Sequence, residues 1–176
     1  METHEIDLKP VLHITVDAIG EPGKRVFYIQ ARGEDETITL LVEKIQIQTL
    51  AIGVEQFIIE LAQRFPNLSE IVTDYDELEM HIHPPVDPLF RTGELGLAYE
   101  QDGDYLILVA RENLAEDMPA EEARLIRFWC SRSQLRNMVR WGVEVVGKGR
   151  KVCPLCSEPI ENEPHFCVKK NGHKSK

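Results

Sequence analysis

The chain has 176 residues, of which 43% are hydrophobic and 28% are charged, a mixture that is typical of globular proteins and argues against extensive disorder. Its 20 Lys and Arg against 30 Asp and Glu give a net charge of -10, which disfavours nucleic-acid binding by the body of the protein because such binding relies on phosphate contacts. No run approaches the about 18 to 20 unbroken apolar residues of a membrane span, and the acidic start is unlike a signal peptide, so we expect a cytoplasmic protein.

The first part of the chain is predicted to form three strands and a helix. Residues 11–19, 25–31 and 37–42 alternate and are rich in residues that favour strands. Between the first two strands, Pro22 and Gly23 suit the central positions of a type II turn. Apolar residues then recur at spacings of three and four from Ile47 to Phe65, which predicts an amphipathic helix that ends before Pro66.

Residues 67–92 show the least regular pattern of the body. The segment is acidic, and its prolines at positions 84, 85 and 88 are expected to interrupt any strand ladder. We predict a covering loop here, with a short strand at Ile71 and Val72 as its one candidate for regular structure.

Regular structure is predicted again from residue 93 onward. Residues 93–99 and 104–111 form a hairpin across Asp102 and Gly103, and residues 124–130 form a further strand. Ser131 and Gln134 have the spacing of a capping box, which predicts a second amphipathic helix that ends near Gly147.

These elements predict an α+β fold with a mainly antiparallel sheet and two amphipathic helices on one face. Each half has three strands and then a helix, which suggests a βββα pseudo-repeat, although alternating strands and amphipathic helices look alike in many α+β domains. We predict an α+β body at residues 1–149 and a small zinc-knuckle-like tail at residues 150–176.

The tail carries the one motif with chemical content. Cys153 and Cys156 form a C-x-x-C pair, and His165 and Cys167 follow as H-x-C, so the four side chains predict a tetrahedral zinc site. His173 is the alternative to His165 as the fourth ligand. A redox role for the C-x-x-C pair is a second alternative, but no thioredoxin-like pattern surrounds it.

A site with four protein ligands leaves no open position, so the predicted zinc is structural. Residues 150–176 contain six basic and three acidic residues, a net charge of +3, which leaves -13 on residues 1–149. The metal would fold a polar tail that is too short to build a core, and the folded tail would present a basic surface to a protein partner. Nucleic-acid binding through this basic tail is an alternative.

An enzyme is the other alternative, with its site near residues 74–92. Asp74, Asp76, His81 and His83 lie close together in sequence and could serve a hydrolytic metal site, with Arg91 as an anion contact. The same residues suit an exposed acidic loop equally well.

Three further features have both a structural and a functional interpretation. Cys130 is expected to be a small core residue, because no base that would activate a nucleophile is nearby in sequence. Arg132, Arg136 and Arg140 line one helix face, which would be solvated or would receive an acidic partner. Trp141 lies beside the apolar stripe and would seal a helix edge or anchor a partner.

Several segments, taken in order, resemble an uncharacterised bacterial family catalogued as domain of unknown function 3090. They are residues 20–31, 42–44 and 90–93, the Cys153, Cys156, His165 and Cys167 string, and Asn171-Gly172. The resemblance covers nearly the whole chain, implies a cytoplasmic bacterial protein, and supplies no catalytic residues. His81 and His83 depart from the family's pattern.

The sequence therefore predicts a non-enzymatic interaction or regulatory protein with one structural zinc. Its expected partner is another protein, with no role for a membrane and none for nucleic acid at the acidic body.

Overall fold

The computed structural model describes residues 4–148, 151–152 and 159–160. In this part of the chain the strands are β1 (Glu5–Leu8), β2 (His13–Ile19), β3 (Val26–Arg32), β4 (Thr37–Val42), β5 (Pro88–Glu100), β6 (Tyr105–Glu112), β7 (Leu125–Cys130), β8 (Lys151–Val152) and β9 (Pro159–Ile160). The helices are α1 (Lys44–Arg64) and α2 (Arg132–Gly147), and single 3-10 turns occur at Glu77–Met80 and Ala120–Glu122.

Seven strands form one mixed sheet in the order β1-β7-β6-β5-β4-β3-β2. Four of its strand pairs are antiparallel, while β1 with β7 and β4 with β5 are parallel. The protein is thus an α+β fold with a mostly antiparallel sheet and two helices, as the sequence predicts in outline. The predicted hairpins β2–β3 and β5–β6 are confirmed.

The first strand was not predicted, because β1 has only four residues and two of them are acidic. Its alternating residues pair with β7, and Arg127 on β7 donates to carboxylate oxygens of Asp7 and Glu5 at 2.8 and 3.0 Å. The strand is therefore stabilised by ion pairs with a residue that is distant in sequence, and a local sequence pattern does not reveal such pairs.

Two predictions for residues 67–92 are wrong. Ile71 and Val72 lie outside any strand, and β5 begins at Pro88 instead of at Gly93. Pro88 is tolerated because it is the first residue of the strand, where a missing N–H disturbs the ladder least.

The two edges of the sheet are joined by only four residues, Lys9 to Leu12. Such a short connection reaches at most about 14 Å, so the edge strands β1 and β2 must lie close together. The connection bonds to both sides, because Val11 N–H donates to the Trp129 carbonyl on β7 and Leu12 N–H donates to the Arg32 carbonyl on β3. The sheet is consequently curled on itself.

The helices cover one face of this curled sheet. α1 buries Ile47, Leu50, Ala51, Val54, Ile58 and Leu61, and α2 buries its predicted apolar face together with Trp141. The two helices are antiparallel to each other, since Ile47 near the start of α1 approaches Gly142 near the end of α2. By length and composition alone α1 could cross a membrane, but its inner face belongs to the core of this domain.

The N-terminus of α2 is capped as its sequence predicts, and its C-terminus is capped by a residue that the sequence did not indicate. The Ser131 hydroxyl accepts from Gln134 N–H, and the Gln134 side chain accepts from Ser131 N–H, which confirms the predicted capping box. At the other end, Arg25 donates to the carbonyls of Val145 and Val146. Arg25 follows the predicted type II turn, in which Lys24 N–H donates to the Glu21 carbonyl and Gly23 has a φ of 88°.

Leu108→Ala is expected to destabilise the protein by about 2–5 kcal/mol, because Leu108 is fully buried between sheet and helices and its truncation leaves a cavity. The matched control Ile52→Ala removes an exposed side chain from α1 and should change stability by no more than about 0.5 kcal/mol. Urea unfolding of both variants measures the difference, and equal effects would contradict this description of the core.

Candidate functional site

The predicted zinc ligands Cys153, Cys156, His165 and Cys167, and the alternative ligand His173, lie outside the described residues. Of the tail, the structure gives only the antiparallel pairing of β8 with β9. The zinc site therefore stays a prediction, and the two cavities described below lie within residues 4–148.

A polar surface covers the face of β2, β3 and β4 that points away from the helices. Side chains in a strand alternate between the two faces, so Thr15, Gln30 and Thr39 share this face while Val16, Ile29 and Leu40 point to the core. Thr15, Asp17, Gln30 and Thr39 are all at least nine-tenths buried. Buried polar groups of this kind need partners, and here the partner is residues 80–83.

Three of these side chains form hydrogen bonds with the backbone of residues 80–83. Thr15 Oγ1 donates to the Met80 carbonyl, and Asp17 accepts from Ile82 N–H at 3.0 Å. Gln30 accepts from His83 N–H at 2.9 Å and donates to the His83 carbonyl at 3.0 Å. The segment predicted as a loose covering loop is thus attached to the sheet at defined points.

A cavity of about 380 Å³ lies next to this attachment, a size in the range of small-molecule sites. It is bounded by the ends of the three strands and by the chain after His83, and its lining residues are His13, Gln30, Arg32, Thr37, Thr39, His83, Pro84, Pro85 and Asp87. We call it the strand-end pocket.

Two groups in the strand-end pocket have unusual surroundings. His13 Nε2 is buried without a hydrogen-bond partner, and burial lowers the pKa of His13 below its ordinary value, with a further contribution from the charge of Arg32. Arg32 is exposed, and within residues 4–148 its guanidinium makes no ion pair and donates no hydrogen bond.

The residues of the predicted enzyme site are not brought together as a group, although Asp74 and Asp76 both line one small cavity of about 180 Å³. His81 contacts Asp17 with Nδ1 at 3.0 Å, Arg91 is paired with Glu43 at 2.8 Å, and Asp74 accepts a hydrogen bond from Asn137 through its carbonyl. His83 alone of the predicted residues lines the strand-end pocket. Within the described residues no group of three metal-ligating side chains is present, so the predicted hydrolytic metal site finds no support there.

A second cavity separates α1 from β5. It has a volume of about 500 Å³ and is lined mainly by α1 residues Ile45, Gln46, Thr49, Leu50, Gly53, Gln56, Phe57 and Glu60 and by β5 residues Gly93, Leu95, Gly96 and Leu97. We call it the α1–β5 groove. Helix and strand run in the same direction along it, since Gln46 contacts Thr92 and Gly93 near one end and Phe65 contacts Tyr99 near the other.

The wall of the groove on the sheet side is an unpaired strand edge. β5 pairs with β4 only at Pro88 and Arg91, but it pairs with β6 as far as Glu100. Beyond Arg91 this edge has no neighbouring strand within residues 4–148. The Gln46 side-chain amide donates to the carbonyls of Thr92 and Gly93 at 3.1 and 3.2 Å, in the place where a neighbouring strand would supply N–H groups.

Two glycines hold the groove open. A Cβ atom added at Gly53 would meet only Leu97 Cδ1, at 3.9 Å, and one added at Gly96 would meet nothing within 4 Å. A glycine within a helix costs about 0.5–1 kcal/mol relative to alanine. Gly53 therefore lowers the stability of α1, but it leaves space in the groove.

The arginines of α2 are bound by acidic groups of the same chain. Arg132 is buried and forms two hydrogen bonds with Asp104, while Arg136 and Arg140 both contact Glu55 on α1. Arg132 holds the pKa of Asp104 below its ordinary value, and burial with the Asp104 hydrogen bond raises the pKa of Tyr99 to about 12. The predicted solvated face is therefore wrong for the buried Arg132, whereas Arg140 is exposed as predicted, and Arg136 and Arg140 are paired with an acidic group of the same chain.

Cys130 and Trp141 are both buried and have structural roles. Cys130 is fully buried at the end of β7, and burial raises the pKa of its thiol, which confirms the prediction of a core residue. Trp141 is buried beneath Tyr75 and His81, both of which meet its ring edge to face. Trp141 thus seals the edge of α2 and is not available as an anchor for a partner.

The chain belongs to the family described as "Protein of unknown function (DUF3090)", whose family model matches residues 6–167. This match confirms the resemblance found in the sequence. It spans the sheet, both helices and the four predicted zinc ligands, and it ends at Cys167. No curated protein and no solved structure gives a significant match to this chain.

Sequence reasoning missed the α1–β5 groove, and it indicated the strand-end pocket only through the candidate site near residues 74–92, of which His83 and Asp87 line the pocket. For the strand-end pocket a signal was present, because His13, Thr15 and Asp17 and then Gln30 and Arg32 occupy every second position of two strands joined by a predicted hairpin. Aligning these hairpin strands would have revealed a polar face. The α1–β5 groove had no such signal, since it depends on where β4 ends relative to β5.

The lowered pKa of His13 predicts a pH dependence of stability. The unfolded chain binds a proton at its ordinary pKa of about 6.5, whereas the folded protein resists protonation, so His13 contributes stability that is lost as the pH falls below that value. Urea unfolding between about pH 7.5 and 5 should therefore show a smaller loss of stability in His13→Gln than in the unchanged protein. The same pH slope in both proteins would contradict this.

Proposed function

We propose that this protein is a non-enzymatic interaction protein of the bacterial cytoplasm, and that the α1–β5 groove binds an extended segment of a protein partner. The observation that carries the proposal is the unpaired edge of β5 beside an apolar groove. An added strand would complete the backbone hydrogen bonds of β5 and place alternate side chains against α1.

The chemistry of the groove specifies the partner segment. Its walls are largely apolar, through Ile45, Phe57, Leu95 and Leu97, so they favour apolar side chains at alternate positions. Glu60 lies in the groove and Glu94 is exposed on β5 beside it, in a body of strongly negative charge. We therefore expect an extended segment in which apolar residues are flanked by lysine or arginine.

The predicted binding is tested with two short peptides of alternating valine and threonine, one with lysine and one with glutamate at its ends. The lysine peptide should shift the amide resonances of residues 94–99, and the glutamate peptide should bind more weakly. Gly53→Leu should reduce binding because it fills the groove, while the adjacent exposed change Ile52→Leu should leave binding unchanged.

Three outcomes would overturn this use of the groove. They are the absence of shifts at residues 94–99 with either peptide, equal binding by the Gly53→Leu variant, and loss of the groove through self-association of the chain. Preferential binding of α1 to anionic phospholipid vesicles, through exposed Ile45, Ile52 and Ile59, would instead assign this surface to a membrane.

The tail is proposed to carry one structural zinc on Cys153, Cys156, His165 and Cys167. The spacing of thiolate and imidazole ligands supports the proposal, and so does the pairing of β8 with β9 on either side of the C-x-x-C pair. The family match ends at Cys167, which favours His165 over His173 as the fourth ligand. A basic tail ordered by zinc would add a second contact surface for the partner.

Elemental analysis of protein purified without added metal should find about one zinc per chain. The double variant Cys153→Ser/Cys156→Ser should lose the metal, and Cys130→Ala is the control that should keep it, because Cys130 is buried at the end of β7. Loss of zinc in His173→Ala but not in His165→Ala would show that His173, and not His165, is the fourth ligand. Absence of zinc from the unchanged protein would overturn the site and favour the redox alternative.

The proposed βββα pseudo-repeat is supported by the order of elements. β2, β3, β4 and α1 are followed by β5, β6, β7 and α2, and each triplet of strands is antiparallel within itself. Because β4 and β5 are parallel, the two triplets have the same succession of strand directions across the sheet.

A further inference from the structure

The polar groups at the floor of the strand-end pocket already have hydrogen-bond partners within the protein. Gln30 is bonded to Thr39 and to the backbone of His83, and both Gln30 and Thr39 are buried. These bonds fix the distance between the sheet and the chain that forms the other wall of the pocket. The pocket is therefore formed by interactions that do not require a ligand.

The groups on its walls, by contrast, have unused hydrogen-bonding capacity. Within residues 4–148 the Arg32 guanidinium has no hydrogen-bond acceptor, although Asp87 lines the same pocket, and the two are not within ion-pair distance. His13 Nε2 is buried without a partner, so one ring nitrogen also lacks the hydrogen bond that a buried polar atom usually has. Both residues line one cavity, and they are cross-strand neighbours in the register of β2 and β3.

We propose that the strand-end pocket binds a small organic anion, with its carboxylate or phosphate group on Arg32 and a hydrogen-bonding group at His13 Nε2. A guanidinium with five donors in a planar fork binds either kind of oxyanion in a bidentate manner. Thr37 at the rim adds a hydroxyl, and the cavity of about 380 Å³ sets the size of the ligand.

The position of Asp87 adds selectivity to this arrangement. Its carboxylate lines the pocket without a hydrogen-bond donor from residues 4–148, so it repels a ligand that is anionic throughout and favours one with an amine or hydroxyl away from its acidic group. This site is independent of the α1–β5 groove, since the two cavities share no lining residue.

The test uses the full chain and two probes, phosphoethanolamine and 4-aminobutyrate, each of which carries an amine away from its acidic group, titrated at constant ionic strength with potassium chloride. Imidazole resonances of His13 and the guanidinium resonance of Arg32 should shift and saturate with at least one probe. The probe that binds with the higher affinity shows whether the site prefers a phosphate group or a carboxylate group.

Arg32→Gln should weaken the binding by about tenfold or more, because it removes a charge-assisted bidentate contact. Arg32 is exposed, so the variant is expected to fold, and its thermal unfolding checks this. Arg91→Gln is the matched control, since Arg91 is also an exposed arginine but is paired with Glu43 outside the pocket.

The proposal is overturned if neither probe gives saturable shifts at His13 and Arg32. It is equally overturned if Arg32→Gln binds as tightly as the unchanged protein, or if Arg91→Gln loses as much affinity as Arg32→Gln. A failure of this experiment leaves the proposed peptide binding untouched, because the titrated residues lie outside the α1–β5 groove.

Discussion

The short connection between β1 and β2 is the constraint on which the rest of this fold depends. Four residues lead from one edge of a seven-stranded sheet to the other, and Val11 and Leu12 bond to strands on both sides. The sheet must therefore curl, and α1 and α2 cover one of its faces. A further stretch of unpaired backbone lies inside the sheet, where β4 ends and β5 continues.

The course of α1 has a second consequence. The helix runs in the same direction as β5, so the chain must return to the start of β5 through the irregular residues after Pro66. This return segment passes the polar face of β2–β4, where Thr15, Asp17 and Gln30 bind its backbone. Both cavities thus follow from one topological choice, the groove from the position of α1 and the pocket from the attachment of the return segment.

Much of the fold could be predicted from local pattern, and the failures have physical causes. Period-two and helical patterns located β2, β3, β4, β6, β7 and both helices, because the apolar side chains of each element recur with a local period that needs no distant partner to be recognised. β1 was missed because the arginine that pairs with it, Arg127, lies 120 residues further along the chain. Arg132 was not recognised as a buried residue because its partner Asp104 lies in the β5–β6 hairpin, 28 residues earlier in the chain. The two cavities depend on strand register and relative strand length, which composition and periodicity do not encode, and the tail site remains a prediction from ligand spacing alone.

The pairing of β1 with β7 also determines when the domain can complete its structure. β1 is made before the other strands of this sheet, yet its partner begins at Leu125. As the chain emerges from the ribosome, the hairpin of β2 and β3 can form early, whereas β1 has no strand to join until nearly the whole domain has been made. Until then the sheet cannot close and its apolar face stays accessible, so the period of vulnerability to aggregation lasts until Leu125–Cys130 has been made.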